Sequence, residues 1–219
     1  MRAFRDVQVS ILSFVFFCML QSVLASPVVY TIESQDLPFN KRGCKGPCAV
    51  GFEIGYTMGT HEGFAREIQG RVKVEFAPSF TITEAEFVIP VTSMTTGKIA
   101  LRDQHMRETL GAEQFPFISF KLTSPISAEG IARVNPGDEL KVPASGIWTM
   151  HGVSREVSIP LKIKFSRDSL NSALVRADFE LDNSAYGIKR YSYLGLTVDD
   201  ISKVSLNLPM QVRASLTNR

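Results

Sequence analysis

The feature that most constrains this chain is an alternation of apolar and polar side chains with period two. In "GRVKVEFA", Val72, Val74 and Phe76 fall on one face, and Arg71, Lys73 and Glu75 on the other. "TEAEFVIPV" sets Ala85, Phe87, Ile89 and Val91 against Glu84 and Glu86, and "ISFKL" sets Ile118, Phe120 and Leu122 against Ser119 and Lys121. "VSIPLKIKF", "VRADFEL" and "VSLNLPMQV" continue the pattern through Phe165, Phe179, Leu206 and Met210. Each segment reads as a strand with one wet and one dry face. With Val28–Ile32 and Ala49–Thr57 the count reaches about eight, and "GIWTMHG" is a further candidate.

Alternation on nearly every strand argues for antiparallel pairing, because parallel strands are covered on both faces and read as continuous apolar runs. Many one-sided strands with few helices leave a sandwich or a closed barrel. The length of the strands favours the barrel. One helix is expected, over Lys98–Leu110, with Ile99, Arg102, Met106 and Leu110 at helical spacing, a stop at Gly111 and a cap from Thr95 or Thr96. The fold class expected is therefore all-β, an eight-stranded antiparallel barrel with one inserted closing helix. No linker or repeat interrupts residues 26–219, which form one domain.

Residues 1–25 read as a secretory signal peptide: Arg2 and Arg5, an apolar block over Ile11–Leu20, and small side chains before Ser26. An uncleaved anchor is the alternative. Removing Arg2, Arg5 and Asp6 from 24 basic and 22 acidic residues leaves 22 and 21, a charge near +1. That balance, with no basic stripe, excludes a nucleic-acid footprint. After cleavage no segment is apolar enough to span a bilayer, and a periplasmic or secreted location follows. In an oxidising compartment Cys44 and Cys48 are expected to form a disulfide across Gly46–Pro47, worth about 2 kcal/mol for so short a loop. A redox or metal-binding thiol pair is the alternative.

"LRDQH" gathers Arg102, Asp103 and His105. A Ser119–His105–Asp103 triad can be drawn only with base and acid close together on one helix, so the cluster is read as tying the helix to a rim by hydrogen bonds and a local ion pair. His61, His105 and His151 match no short metal-ligand motif, and no metal is assigned. Arg176, Asp178, Glu180 and Asp182 read as a solvated face, and Asp199–Asp200 as a turn before the last strand.

In order along the chain, "VGFEIGYTMGTHEGFAREIQGRVKVEFA", "VIPVTSMTTGKIALRDQHMRETLGAEQFPFISFKL", "ASGIWTMHGVSREVSIPL", "FELDNSAYGI" and "VDDISKVSLNLPMQV" resemble the YceI family. The resemblance covers roughly residues 30–214, with Trp148 where Leu is usual and the Cys44–Cys48 insert as a departure. It implies a lipocalin-like barrel with a long apolar pore that takes a polyisoprenoid or other lipid tail. Phe76, Phe87, Ile89, Phe120, Trp148, Phe179, Leu206 and Met210 are then the pore-lining candidates. The competing reading is a solid core, which alternation cannot distinguish from a cavity wall. The Trp148 N–H is expected to seek a polar partner at the pore mouth.

The function expected is a non-enzymatic carrier or scavenger of an isoprenoid or other long-chain amphiphile, with no cofactor beyond that lipid. Alternatives are a redox or copper-handling protein using Cys44 and Cys48, or a ligand-free interaction module. A homodimer remains open.

Overall fold

The computed structural model describes residues 26–33, 39–40, 43–44, 49–97, 99–128, 131, 133–193 and 195–212. The proposed signal peptide lies outside them. So does the Cys44–Cys48 pair, since of the two only the backbone of Cys44 is described.

The first strands are β1 (Val28–Ile32), β2 (Phe39–Asn40), β3 (Gly43–Cys44), β4 (Val50–Tyr56), β5 (Gly59–Ala65) and β6 (Gln69–Glu75). Then come β7 (Thr81–Pro90), β8 (Met94–Thr95), helix α1 (Ala100–Thr109), β9 (Phe117–Leu122) and β10 (Ile126–Ser127). The chain continues with β11 (Glu139–Met150), β12 (Val153–Phe165), β13 (Ser172–Asp182), β14 (Ser192–Tyr193) and β15 (Leu196–Val212).

Every pairing is antiparallel, and the order β1-β6-β7-β9-β11-β12-β13-β15 closes on itself through Tyr30↔Val212 and Thr31↔Gln211. This is the expected eight-stranded barrel. Closure satisfies the edge groups that an open sheet would leave unpaired. β15 is longer than the one-strand pattern "VSLNLPMQV" suggested: it begins at Leu196. Asp199 and Asp200 therefore lie within a strand, not in a turn, beside a register shift between Val198 and Ser202, and Asp200 pairs with Arg190.

The extra length of β15 gives the wall two tiers. Its C-terminal end pairs with β1, and its earlier part pairs with β4, from Val198↔Tyr56 to Leu206↔Val50. β4 then pairs with β5, and β5 with β8, which follows β7 through a short 3-10 turn over Val91–Ser93. The wall between β15 and β7 is thus β1 and β6 at one end and β4 and β5 at the other. α1 joins β8 to β9 and so sits at the β4–β5 end. On the outer face of the β6–β7 ladder, Arg71 meets Glu86 at 2.7 Å and Lys73 meets Glu84 at 3.0 Å. These directly opposed pairs support register, at about 0.2–1 kcal/mol each.

The end away from α1 is filled with aromatic rings. Phe76, Phe80 and Phe165 pack with centroids 5.8–6.1 Å apart. Tyr30 is fully buried in the hydrophobic core and donates its hydroxyl to the carbonyl of Leu170. Burial pushes the Tyr30 phenol up to about 12. Phe80 is 1 % exposed. Phe80→Ala is therefore expected to cost about 3–5 kcal/mol in urea denaturation. Val88→Ala, on the outer face of the same barrel, should change stability by no more than about 0.5 kcal/mol.

Candidate functional site

The inward side chains change character along the barrel. Four strands carry two successive inward residues that define layers: Ile89 then Phe87 on β7, Ile118 then Phe120 on β9, Met150 then Trp148 on β11, and Leu181 then Phe179 on β13. The first of each pair lies nearer α1 and lines a cavity of about 500 Å³. The second forms a continuous aromatic layer beneath it. Phe87 stacks on Phe120 at 5.5 Å, Trp148 meets Phe87 edge-on at 5.7 Å, and Phe179 meets Trp148 at 5.5 Å from across the interior.

The cavity wall is completed by Val50, Ile54 and Ala65 of the β4–β5 tier, by Val198 and Val204 of β15, and by α1. The helix contributes Ile99, Arg102, Met106 and Leu110, the side chains that its sequence spacing placed on one face. None of its residues is buried. An amphipathic helix normally covers its apolar stripe with core; here the stripe faces the cavity. The opening passes Ile99, Leu101 and Leu196, which are 48 %, 58 % and 39 % exposed.

Of the pore-lining candidates, only Ile89 and Trp148 touch this cavity. Phe87, Phe120 and Phe179 face inward one layer too deep, Phe76 belongs to the far aromatic plug, and Met210 is core opposite Ala173. Leu206 is buried in the wall between β13 and β4. The long pore implied by the resemblance is thus a cup occupying the helix end. The Trp148 N–H is not at the mouth: it is buried and has no hydrogen-bond partner among the described residues.

The helix is held by Asp103, whose carboxylate accepts from the Thr95 hydroxyl at 2.5 Å and from the amide and hydroxyl of Thr96 at 2.7 and 2.8 Å. Thr95 and Thr96 therefore bind the first turn of α1 from β8 and the residue after it, not as caps; the residue at the cap is Ile99, which offers no side-chain bond. Burial alone would raise the Asp103 carboxyl, but these hydrogen bonds and the nearby Arg107 charge outweigh it and hold it below the usual carboxylate range. The expected ion pair is replaced by these hydroxyl and amide contacts.

His105 bonds through Nδ1 to the Tyr191 hydroxyl at 3.0 Å, and His61 stacks on Tyr56 at 4.0 Å; all four residues line the cavity. Burial and the Arg102 charge hold the His61 imidazole below its ordinary pKa. Arg102 forms no ion pair with any described residue. His151 lies apart, at the β11–β12 turn, with Nδ1 3.1 Å from the Tyr186 carbonyl. The three histidines do not converge, and among the described residues no group of three His, Cys, Asp or Glu side chains is placed to hold a metal. Asp103 and His105 are engaged with Thr95, Thr96 and Tyr191, and Ser119 sits on the outer parity of β9, so the triad does not assemble. Tyr56, Ile188, Tyr191 and Leu196 were not singled out from sequence, because they lie in or beside loops where no periodic pattern marks a face.

A family model described as a YceI-like domain matches residues 48–210. Among solved structures, a polyisoprenoid-binding domain from Saccharophagus degradans, implicated in plant cell wall breakdown, superposes with a TM-score of 0.61 at 14% identity, covering 86% of this chain and 100% of that one. Burkholderia cenocepacia BcnA follows with a TM-score of 0.51 at 14% identity, over 85% of this chain and 97% of that one. A Campylobacter jejuni YCEI protein gives 0.52 at 14% identity, over 72% and 88%. No curated protein matches.

Two outcomes follow from the helix contacts. Asp103→Asn keeps the shape but weakens charge-assisted bonds, so it should cost about 1–3 kcal/mol and speed amide hydrogen exchange in α1. The stabilisation from this lowered carboxyl is present above its ordinary pKa of about 3.9 and is lost as pH falls through the folded value. Arg102→Gln should raise the His61 midpoint, read from its imidazole resonances, without restoring it fully, because burial is the larger cause.

Proposed function

This chain belongs to the YceI-like family, and on that premise we propose that it carries or scavenges an isoprenoid or other long-chain amphiphilic lipid without catalysing a reaction. The observation that carries this reading is the apolar stripe of α1, which faces an open, apolar cavity instead of packed core. A lipid tail supplies the missing partner. Burying about ten methylene groups there would contribute roughly 8 kcal/mol gross, of which loss of motional freedom takes back a substantial share.

The polar head would sit at the opening, where Arg102, His105, His61 and Tyr191 line the wall and Arg102 has no partner carboxylate among the described residues. The polyisoprenoid-binding description of the Saccharophagus degradans domain supports an isoprenoid as the tail. Export rests on the leader pattern of residues 1–25. Among the described residues no helix is long and apolar enough to cross a membrane.

Native mass spectrometry of the purified protein, extracted with organic solvent and then mixed with farnesol, should show a one-to-one complex. Met106→Trp places an indole in the cavity from the exposed helix and should weaken binding by at least about tenfold with the melting temperature little changed. Failure of the wild-type protein to retain any prenyl or acyl lipid overturns the proposal.

A further inference from the structure

The cavity ends where the aromatic layer begins, and that boundary has a consequence for the ligand. We propose that Trp148, braced by Phe87, Phe120 and Phe179, is the floor of the cavity and sets a maximum tail length, so that the protein selects amphiphiles with chains of about 15–20 carbons. This rests on the carrier reading and narrows its substrate class to chains the size of three or four isoprene units or a palmitoyl group.

The layer is a barrier because its members meet from four strands. Phe87, Phe120 and Trp148 come from neighbouring strands, and Phe179 closes the layer from β13, two strands beyond β11. Trp148 is 2 % exposed, Phe120 5 % and Phe87 8 %. The Phe120 ring is seated on Gly146, where a Cβ would approach it to 2.5 Å, so it cannot drop deeper into the wall. Below this level the barrel is occupied by Ile163, Leu140, Phe80, Phe165 and Tyr30, all at 3 % exposure or less. A tail that reaches Trp148 therefore has no further apolar volume to enter without displacing packed side chains.

The capacity follows from volume. At about 30 Å³ per group, the share of a water molecule in the liquid, a cavity of about 500 Å³ takes some 15–20 carbons. One layer of side chains corresponds to two residues of strand, about 6.6 Å along it, or roughly one isoprene unit. Removing the floor should deepen the cup by that amount.

Trp148 is the sole tryptophan of the chain, so its emission reports on its own surroundings. Straight-chain alkanoic acids of increasing length, titrated calorimetrically into the delipidated protein, should bind up to about fourfold tighter per added carbon until about 15–20 carbons, and no tighter beyond. The same acids carrying a terminal bromine should quench Trp148 emission most strongly at that length. Trp148→Leu should move the break point longer by about five carbons, and Met150→Phe, one layer nearer the mouth, should move it shorter. Melting curves confirm that each variant is folded, and Met150→Phe leaves the floor itself intact should Trp148→Leu fail to fold.

Affinity that keeps rising well past 20 carbons, or a break point unmoved in folded variants, overturns the length limit while leaving the carrier reading standing. Absence of binding at every length, for these acids and for prenyl alcohols alike, overturns both.

Discussion

The architecture depends on β15. Seventeen residues of continuous strand hold β13 along one edge, and along the other hold β1 at one end and β4 at the other. Without that double engagement either tier of the wall would leave a row of backbone groups unpaired, and neither half of the barrel would close. The register shift between Val198 and Ser202 is where the strand adjusts as it passes along the mouth. The second tier around the cavity, the β4–β5 hairpin and β8 with the helix after it, follows from the reach of this one strand.

Alternation made the fold legible. Period two in "VKVEF", "ISFKL" and "VRADFEL" indicates which side chains face inward, and on β7, β9 and β13 the residues it selects lie on the inner face. It carries no information about height along the barrel axis. Phe87 and Ile89 obey the same pattern, yet one is floor and the other wall, because position along the axis is set by register between strands distant in sequence. Large rings are what a filled layer needs, whereas the wall above that layer is mostly Ile, Leu, Val, Met and Ala. Helical spacing was more informative: Ile99, Arg102, Met106 and Leu110 all reach the cavity, because a single isolated helix has only one surface to cover. Asp103 is held by the Thr95 hydroxyl on β8 and by the amide and hydroxyl of Thr96 just after it, not by the expected ion pair.

Two energetic compromises mark the helix end as different from the rest. The helix presents apolar side chains that nothing among the described residues covers, and Trp148 buries a hydrogen-bond donor with no acceptor among them, a penalty of about 1–3 kcal/mol. The Phe76–Phe80–Phe165 plug shows neither. Cores are usually close-packed and satisfied; departures concentrated at one end point to a region shaped by something other than stability.

The two-tier wall lets those demands be met separately. The tier bounded by β1 and β6 closes over solid aromatic packing and can serve as the foundation on which folding rests. The tier bounded by β4 and β5 encloses open volume, and side chains there can change in size without undermining that foundation. A barrel divided in this way can be retuned to a new guest by a few substitutions in one storey, because the cost in stability is carried by the other.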